Sequence, residues 1–390
     1  MDIHKLFHDR KQAGINYTLE RMRALYQKLD RPEQDAEVIH IAGTNGKGST
    51  VSYLEALFAG SSKTVLSFVS PSFGGREGHL LWNGEPVTAD AFAEVCRDAA
   101  AFLPGVERVH GMVSPFELLT ATAFAACKRW KPDVFLVECG LGGRLDATNV
   151  LENKAVTILT SIGTDHGAFL GHGREQVARE KAGIMRQGVP VVSGCGDADT
   201  WLKEEAEKCG ADWMELERTW SFLPPETLET PKGSVTLPAP GAHQEQNAAC
   251  AWTAARLFGV PLQEAWLSQA RMPGRFEQIQ PGVYVDSAHN IEAVEAMLNS
   301  VPNEWDVTFL FGAMRDKAVH EMISRLTARG RVVPALFPDS RAMTEHEWLK
   351  LLPSESVCSD PKQFVLACSG SAEGKLIVTG SHAFTSMIRN

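Results

Sequence analysis

The sequence lacks the marks of several protein classes. Its eight cysteines stand at 96, 127, 139, 195, 209, 250, 358 and 368, and none forms a Cys-x-x-Cys pair. A zinc site or a disulfide framework is therefore not expected, and buried thiols in a reducing compartment are. No apolar stretch is long enough to span a bilayer, so no membrane partner is expected. The opening residues, "MDIHKLFHDRKQ", are charged and lack a signal-peptide apolar core, and a cytoplasmic protein is expected. Positive charge is scarce. Lys and Arg number 38 against 48 Asp and Glu, a net charge of −10, which argues against broad nucleic-acid binding. There is no repeat of fixed period and no low-complexity tract.

What is there fits a globular protein. The 390 residues are enough for two domains, and 44% hydrophobic with 22% charged residues suits packed cores. Apolar runs alternate with helix-like segments. "EVIHIAG", "TVLSFVS", "DVFLVECG" and "AVTILTSIG" read as buried strands of a largely parallel sheet. Between residues 212 and 241 the pattern weakens, and a small antiparallel excursion is expected. "RMPGRFEQIQPG" carries two prolines and two glycines and reads as a linker. The alternation then restarts with "VYVDSA", "DVTFLFG", "RVVPALF" and "KLIVTG". The fold class is α/β: a P-loop-type, doubly wound, mostly parallel sheet domain over residues 1–271, a linker over 272–282, and a smaller Rossmann-like α/β domain over 283–390. A cleft between two such units is a natural meeting place for two substrates.

The segment "HIAGTNGKGST" departs from the usual phosphate-loop spelling, because Gly48 separates Lys47 from Ser49. The physical reading survives the change. Gly43, Gly46 and Gly48 lie between a buried strand and a helix. They let the backbone through Thr44 and Asn45 turn N–H groups inward on an anion. The helix N-terminus adds its positive dipole end. Lys47 reaches the outer phosphates, and Ser49 or Thr50 offers a hydroxyl to Mg²⁺. The competing reading is an ordinary strand-to-helix turn.

"GTNGKGST" resembles the loop of the Mur-ligase superfamily, and within it the folylpolyglutamate synthase and dihydrofolate synthase branch. "FELLTATAF", "ECGLGGRLDATN", "TSIGTDH", "REKAGI", "HQEQNAACA", "PGRFE", "DSAHN" and "GAMRDK" follow in the order of that family. The resemblance spans about Thr18 to Ser381. It implies a monomeric ATP-dependent amide ligase whose partners are small molecules, a folate carboxylate and L-glutamate. ATP and two Mg²⁺ ions are the implied cofactors, with a monovalent cation as a further ion.

The same resemblance implies site residues. Lys47, His166 and Lys181 would be catalytic. Ser70 and Glu138, with a loop hydroxyl from Ser49, would hold one Mg²⁺. Glu138, His166 and a CO₂-carbamylated Lys181 would hold the other. Read from residue chemistry alone, His166 is a soft choice for Mg²⁺, Asp165 is an equal candidate, and an unmodified Lys181 is a surface helix lysine. Asn247, Arg275, Asp286 and His289 match nucleotide contacts of the family, with Asp316 and Lys317 as a further C-terminal site. Arg144 and Asp146 are expected to shape the loop after Glu138.

One stretch breaks the match. After Ser70-Pro71 the family usually has a histidine and, further on, a Glu-Arg pair in a loop that contacts the folate. Here Ser72 replaces the histidine, Glu77 comes one place early, and Gly78-His79 occupy the paired positions. Harmless drift is one reading and an altered acid acceptor the other. A ligase acting on a non-folate acid, a P-loop ATPase or kinase, and a non-catalytic nucleotide-binding module are the alternatives. No clear dihydropteroate signature stands near "HQEQNAACA", which points toward polyglutamylation.

Overall fold

The computed structural model describes residues 2–11, 13, 18–164, 173–368 and 374–389. The chain divides into two compact units. One is Met1–Ser221, Thr230–Val235 and Gln246–Arg271; the other is Phe222–Glu229, Thr236–Glu245 and Met272–Asn390.

The first unit holds an eight-stranded sheet. Its strands are β1 (Glu37–Ala42), β2 (Val65–Phe68), β3 (Leu80–Trp82), β4 (Glu85–Pro86), β5 (Val134–Glu138), β6 (Val156–Leu159), β7 (Pro190–Ser193) and β8 (Asp212–Met214). The order is β4-β3-β2-β5-β1-β6-β7-β8. β2 to β8 run parallel through β5, β1, β6 and β7, while β3 and β4 turn back antiparallel on the β2 edge. The central strands are apolar on both faces because helices cover both.

On one face lies the helix Pro115–Trp130. Ser114 and Glu117 form a capping box at its start, and Pro115 fits the first turn. Phe124 on this helix is fully buried, and its truncation to Ala would cost about 3–5 kcal/mol. The helix Arg174–Ala182 packs on the other face through Val177, Ala178 and Ala182.

β1 is flanked by β5 and β6, and β2 lies beyond β5. The carboxyl ends of these four strands therefore meet at a topological switch point, where open α/β sheets bind ligands. The glycine loop leaves β1 there, Ser70 follows β2, the 140–147 segment follows β5 and the 160–163 segment follows β6.

The second unit holds a five-stranded sheet ordered β12-β13-β16-β14-β15. These are β12 (Glu277–Gln280), β13 (Val283–Val285), β14 (Val307–Phe311), β15 (Arg331–Pro334) and β16 (Lys375–Thr379). All pair in parallel except β12, which is antiparallel to β13.

Two expectations need correction. Residues 272–282 are not only a linker: β12 pairs Glu277 with Val285 and forms an edge of the second sheet. Its glycines and prolines flank the strand and hide it in the sequence. Between 212 and 241, β8 joins the main sheet in parallel, and only β9 (Ser221–Leu223), β10 (Thr227–Thr230) and β11 (Gly233–Thr236) form a separate three-stranded sheet.

Candidate active site

The glycine loop is held by the strand next to it. Thr44 N–H donates to the Ser161 carbonyl at 2.9 Å. Ser161 Oγ accepts from Asn45 N–H at 2.9 Å. Thr160 Oγ1 donates to the Asn45 carbonyl at 2.6 Å. The Thr44 hydroxyl accepts from Gly163 N–H at 2.9 Å. A Cβ at Gly43 would stand 1.8 Å from Thr160 Oγ1, so only glycine fits. Gly46 sits at φ +89°, and a Cβ there would lie 2.3 Å from Asn247 Oδ1. Asn247, buried on the helix Ala242–Arg256, thus abuts the loop itself.

The helix Lys47–Gly60 starts within the loop, with Gly46 as its left-handed N-cap. Lys47 Nζ donates to the Gly43 carbonyl at 3.0 Å and to the Thr44 carbonyl at 3.3 Å. It also lies 3.8 Å from Glu138 Oε1. Glu138 ends β5, and its Oε2 accepts from Ser70 N–H at 3.3 Å. Ser49 and Thr50 are buried in the first turns, with Gly48 between them and Lys47. The structure thus brings Lys47, Ser70 and Glu138 together at the end of the sheet.

The donor set suits a hard cation. Among the described residues no three His, Cys, Asp or Glu side chains cluster for a metal. One carboxylate with hydroxyls, waters and phosphate oxygens is what Mg²⁺ takes. Thr50 Oγ1 is buried with no hydrogen-bond partner among the described residues, a polar atom that a ligand at the loop would satisfy. His166 and Asp165 lie outside the described residues. Lys181 does not sit on the surface as an unmodified helix lysine was expected to. It is only 3% exposed, because the 140–147 segment packs on its helix. Its charge is felt at Cys139, the residue after Glu138. Burial and Asp146 push that thiol up, while Thr148, Lys154 and Lys181 pull it down.

Behind β5 lies a polar chain. His40 Nε2 meets the Thr148 hydroxyl at 2.8 Å and Cys139 Sγ at 3.1 Å. Full burial holds the His40 imidazole well below its ordinary value, with Lys154 and Arg186 adding to the effect, so the ring is neutral. Asp146 accepts from Leu141 N–H at 2.8 Å and Thr148 N–H at 2.9 Å. Burial raises its carboxyl against these bonds. Arg144 grips Glu180 Oε1 at 2.7 Å. Arg144 and Asp146 therefore shape the loop, as their positions suggested.

A cavity of about 320 Å³ opens beside this loop. Residues 140–147 line one wall, and Leu19, Met22, Ser70, Phe116 and Glu117 line others. Glu117 is paired to Arg21, with Nη2 to Oε2 at 2.9 Å. A largely apolar lining with one aromatic ring, that of Phe116, and fixed polar groups suits a flat organic acid. Thr18, Leu19 and Met22 carry no signal in the sequence, because they reach the site from the start of the N-terminal helix Glu20–Lys28, far away in the chain.

The unusual segment folds back on itself. Val69 N–H donates to the His79 carbonyl at 3.0 Å, and His79 Nδ1 lies 2.7 Å from the Val69 carbonyl. Ser72 Oγ donates to the Gly75 carbonyl at 2.9 Å. His79 is thus spent on closing the loop.

On the glycine-loop helix itself, Glu55 is buried, and Ser67 Oγ donates to its Oε1 at 2.6 Å. Burial raises its carboxyl to about 7; the Ser67 bond and Arg271 oppose this, and Glu85 adds to it.

In the second unit, Asp286 and His289 follow β13. Asp286 accepts from Phe276 N–H and Ala288 N–H, each at 2.9 Å. Burial raises its carboxyl, with Arg275 the first opposing influence. Its expected role as a nucleotide contact therefore competes with holding the Arg275–Phe276 turn. His289 Nδ1 lies 2.8 Å from the Ser287 carbonyl. Asp316 and Lys317 follow β14.

No family model matches the chain. It is 31% identical to the dihydrofolate synthase/folylpolyglutamate synthase of Bacillus subtilis, across 100% of this chain and 98% of that one. The structure resembles Mycobacterium tuberculosis folylpolyglutamate synthase complexed with ADP, with a TM-score of 0.88, 26% identity and coverage of 99% and 96%. It also resembles a bifunctional folylpolyglutamate synthase/dihydrofolate synthase with Mn, AMPPNP and L-glutamate bound. There the TM-score is 0.84, the identity 27% and the coverage 98% and 95%. Among the described residues, no helix is long and apolar enough to cross a membrane.

Proposed function

The chain belongs to the dihydrofolate synthase/folylpolyglutamate synthase family, and on that premise we propose that it joins L-glutamate to a folate carboxylate at the expense of ATP. It is an ATP-dependent amide ligase that uses a divalent cation. The observation that carries the reading is the meeting of the glycine loop, Lys47 and Glu138 at the sheet's carboxyl edge, beside a cavity sized for an aromatic acid.

The folate carboxylate attacks the γ-phosphorus of ATP. The bond to the β,γ-bridging oxygen breaks, ADP leaves, and an acyl phosphate forms. The amine of glutamate then attacks the acyl carbon, loses a proton, and expels phosphate to leave the amide. This chemistry needs charge neutralisation and in-line placement rather than a protein nucleophile. Backbone N–H groups from Gly46 to Ser49 cradle the phosphates, those of Thr44 and Asn45 being engaged with Ser161, and Lys47 neutralises their outer oxygens. Asn247 buttresses the loop through Gly46. Ser49, Ser70 and Glu138 would hold one Mg²⁺; Glu138, His166 and Lys181 as its carbamate would hold a second. Bound Mg²⁺ supplies charge neutralisation and alignment of the transferring group. The cavity beside residues 140–147 seats the acid, with Phe116 against its ring. In the second unit, Arg275 and His289 are the assigned nucleotide contacts, and Asp286 fixes the turn that presents Arg275.

A cytoplasmic monomer acting on small molecules is part of the proposal, and the net charge of −10 speaks against a nucleic-acid partner. A panel of dihydropteroate, tetrahydrofolate and non-folate acids, each with glutamate and ATP, tests the assignment through ADP and amide formation. Amide from a folate sustains it. The folded-back Ser72–His79 segment supports a second reading, a ligase for a non-folate acid, and amide from that class alone would select it.

A further inference from the structure

Asn149 closes the "GLGGRLDATN" segment and is 7% exposed. Its amide is saturated. Nδ2 donates to the Arg144 carbonyl and to the Gly183 carbonyl, each at 3.0 Å. Oδ1 accepts from Lys154 Nζ and from Arg186 Nη2, each at 2.8 Å. The two carbonyls belong to different parts of the site. Arg144 stands in the cavity wall, and Gly183 ends the helix that carries Lys181.

The cations on the other side of the amide are unusual. Lys154 is 7% exposed, and its further bond goes to the Ile184 carbonyl at 2.8 Å. Arg186 also donates to the carbonyls of Gly183 and Met185, at 3.1 and 2.8 Å. A buried lysine and a half-buried arginine thus converge on one neutral oxygen, an arrangement that costs stability. It orients the amide, with Oδ1 toward Lys154 and Arg186 and Nδ2 toward the two carbonyls.

The parts joined by Asn149 are in direct backbone contact. Arg144 N–H donates to the Glu180 carbonyl at 2.8 Å. A Cβ on Gly143 would lie 2.8 Å from the Lys181 carbonyl, and one on Gly183 would lie 2.7 Å from Arg144 Cα. The wall cannot shift without shifting Lys181.

We infer that Asn149 is a positioning residue that locks the acid-binding wall to the Lys181 helix. Acid binding and the placement of Lys181 are then set by one amide. The glycine loop has its own anchors at Thr160 and Ser161, so ATP binding does not depend on this lock. The inference rests on the cavity being the acid site, as proposed above.

The test compares Asn149→Asp with Lys154→Met and wild type. Asp keeps the oxygen between the two cations and replaces both donations with repulsion. Met leaves the donations in place. Asn149→Asp is expected to raise the KM for the acid and lower kcat, each roughly tenfold or more, with the KM for ATP little changed. Amide hydrogens of residues 141–146 should exchange faster, and the unfolding midpoint should hold. Lys154→Met should keep the acid KM of wild type even if its midpoint falls. A wild-type acid KM in Asn149→Asp overturns the inference. So does a loss in both variants that follows their unfolding midpoints. Wild type that forms no amide from any folate would instead refute the proposed function and leave the exchange result to decide the lock.

Discussion

Lys47 Nζ stands 3.8 Å from Glu138 Oε1, a cation from the glycine loop facing a carboxylate from the neighbouring strand. Both side chains are largely buried, so each compensates the other's charge. The loop and the proposed metal ligand therefore form one electrostatic unit.

Lys47→Ala should lower kcat by about a hundredfold or more, because a preorganised positive charge on the transferring group is lost. Steady-state ADP formation checks this, with circular dichroism as the control for folding. Turnover near the wild-type value would remove Lys47 from the phosphate site.

Lys181 is buried near the end of β5. An alanine there would remove both the packed stem and the group proposed to carry CO₂. Lys181→Ala should lose most of its activity and regain part of it with added short carboxylic acids, which restore an anion in the space. A variant unaffected by truncation would refute the carbamate.

Glu55 gives a stability prediction with a definite sign. Burial raises its carboxyl from 4.5 to about 7. Between those values the folded protein binds more protons than the unfolded chain, so stability falls as pH rises through the window. Glu55→Gln keeps an acceptor for Ser67 and removes the titration. Its advantage over wild type in urea unfolding should grow from about pH 5 to about pH 8, reaching at most about 3 kcal/mol. Parallel pH curves would contradict the assignment.

Some of this was legible in the sequence. Continuous apolar runs announced β1, β2, β5 and β6, and Gly43 and Gly46 announced a loop that no side chain could enter. What was hidden depends on contacts far apart in the chain. Thr160 and Ser161 hold Asn45 across a strand pairing, and nothing in "TSIG" alone signals it. The burial of Lys181 comes from a glycine-lined segment packing on its helix. The four bonds of Asn149 need Lys154 and Arg186 brought in from two later segments. β12 was masked by the prolines and glycines around it, and β8 by its short length.

Phosphate transfer in this protein is proposed to serve amide formation. Phosphate release, measured with ATP and Mg²⁺ while a folate acid and L-glutamate are added singly and together, tests it most directly. Sustained release should require both substrates and match the amide formed one for one. Release that continues unchanged without the amine would contradict the account.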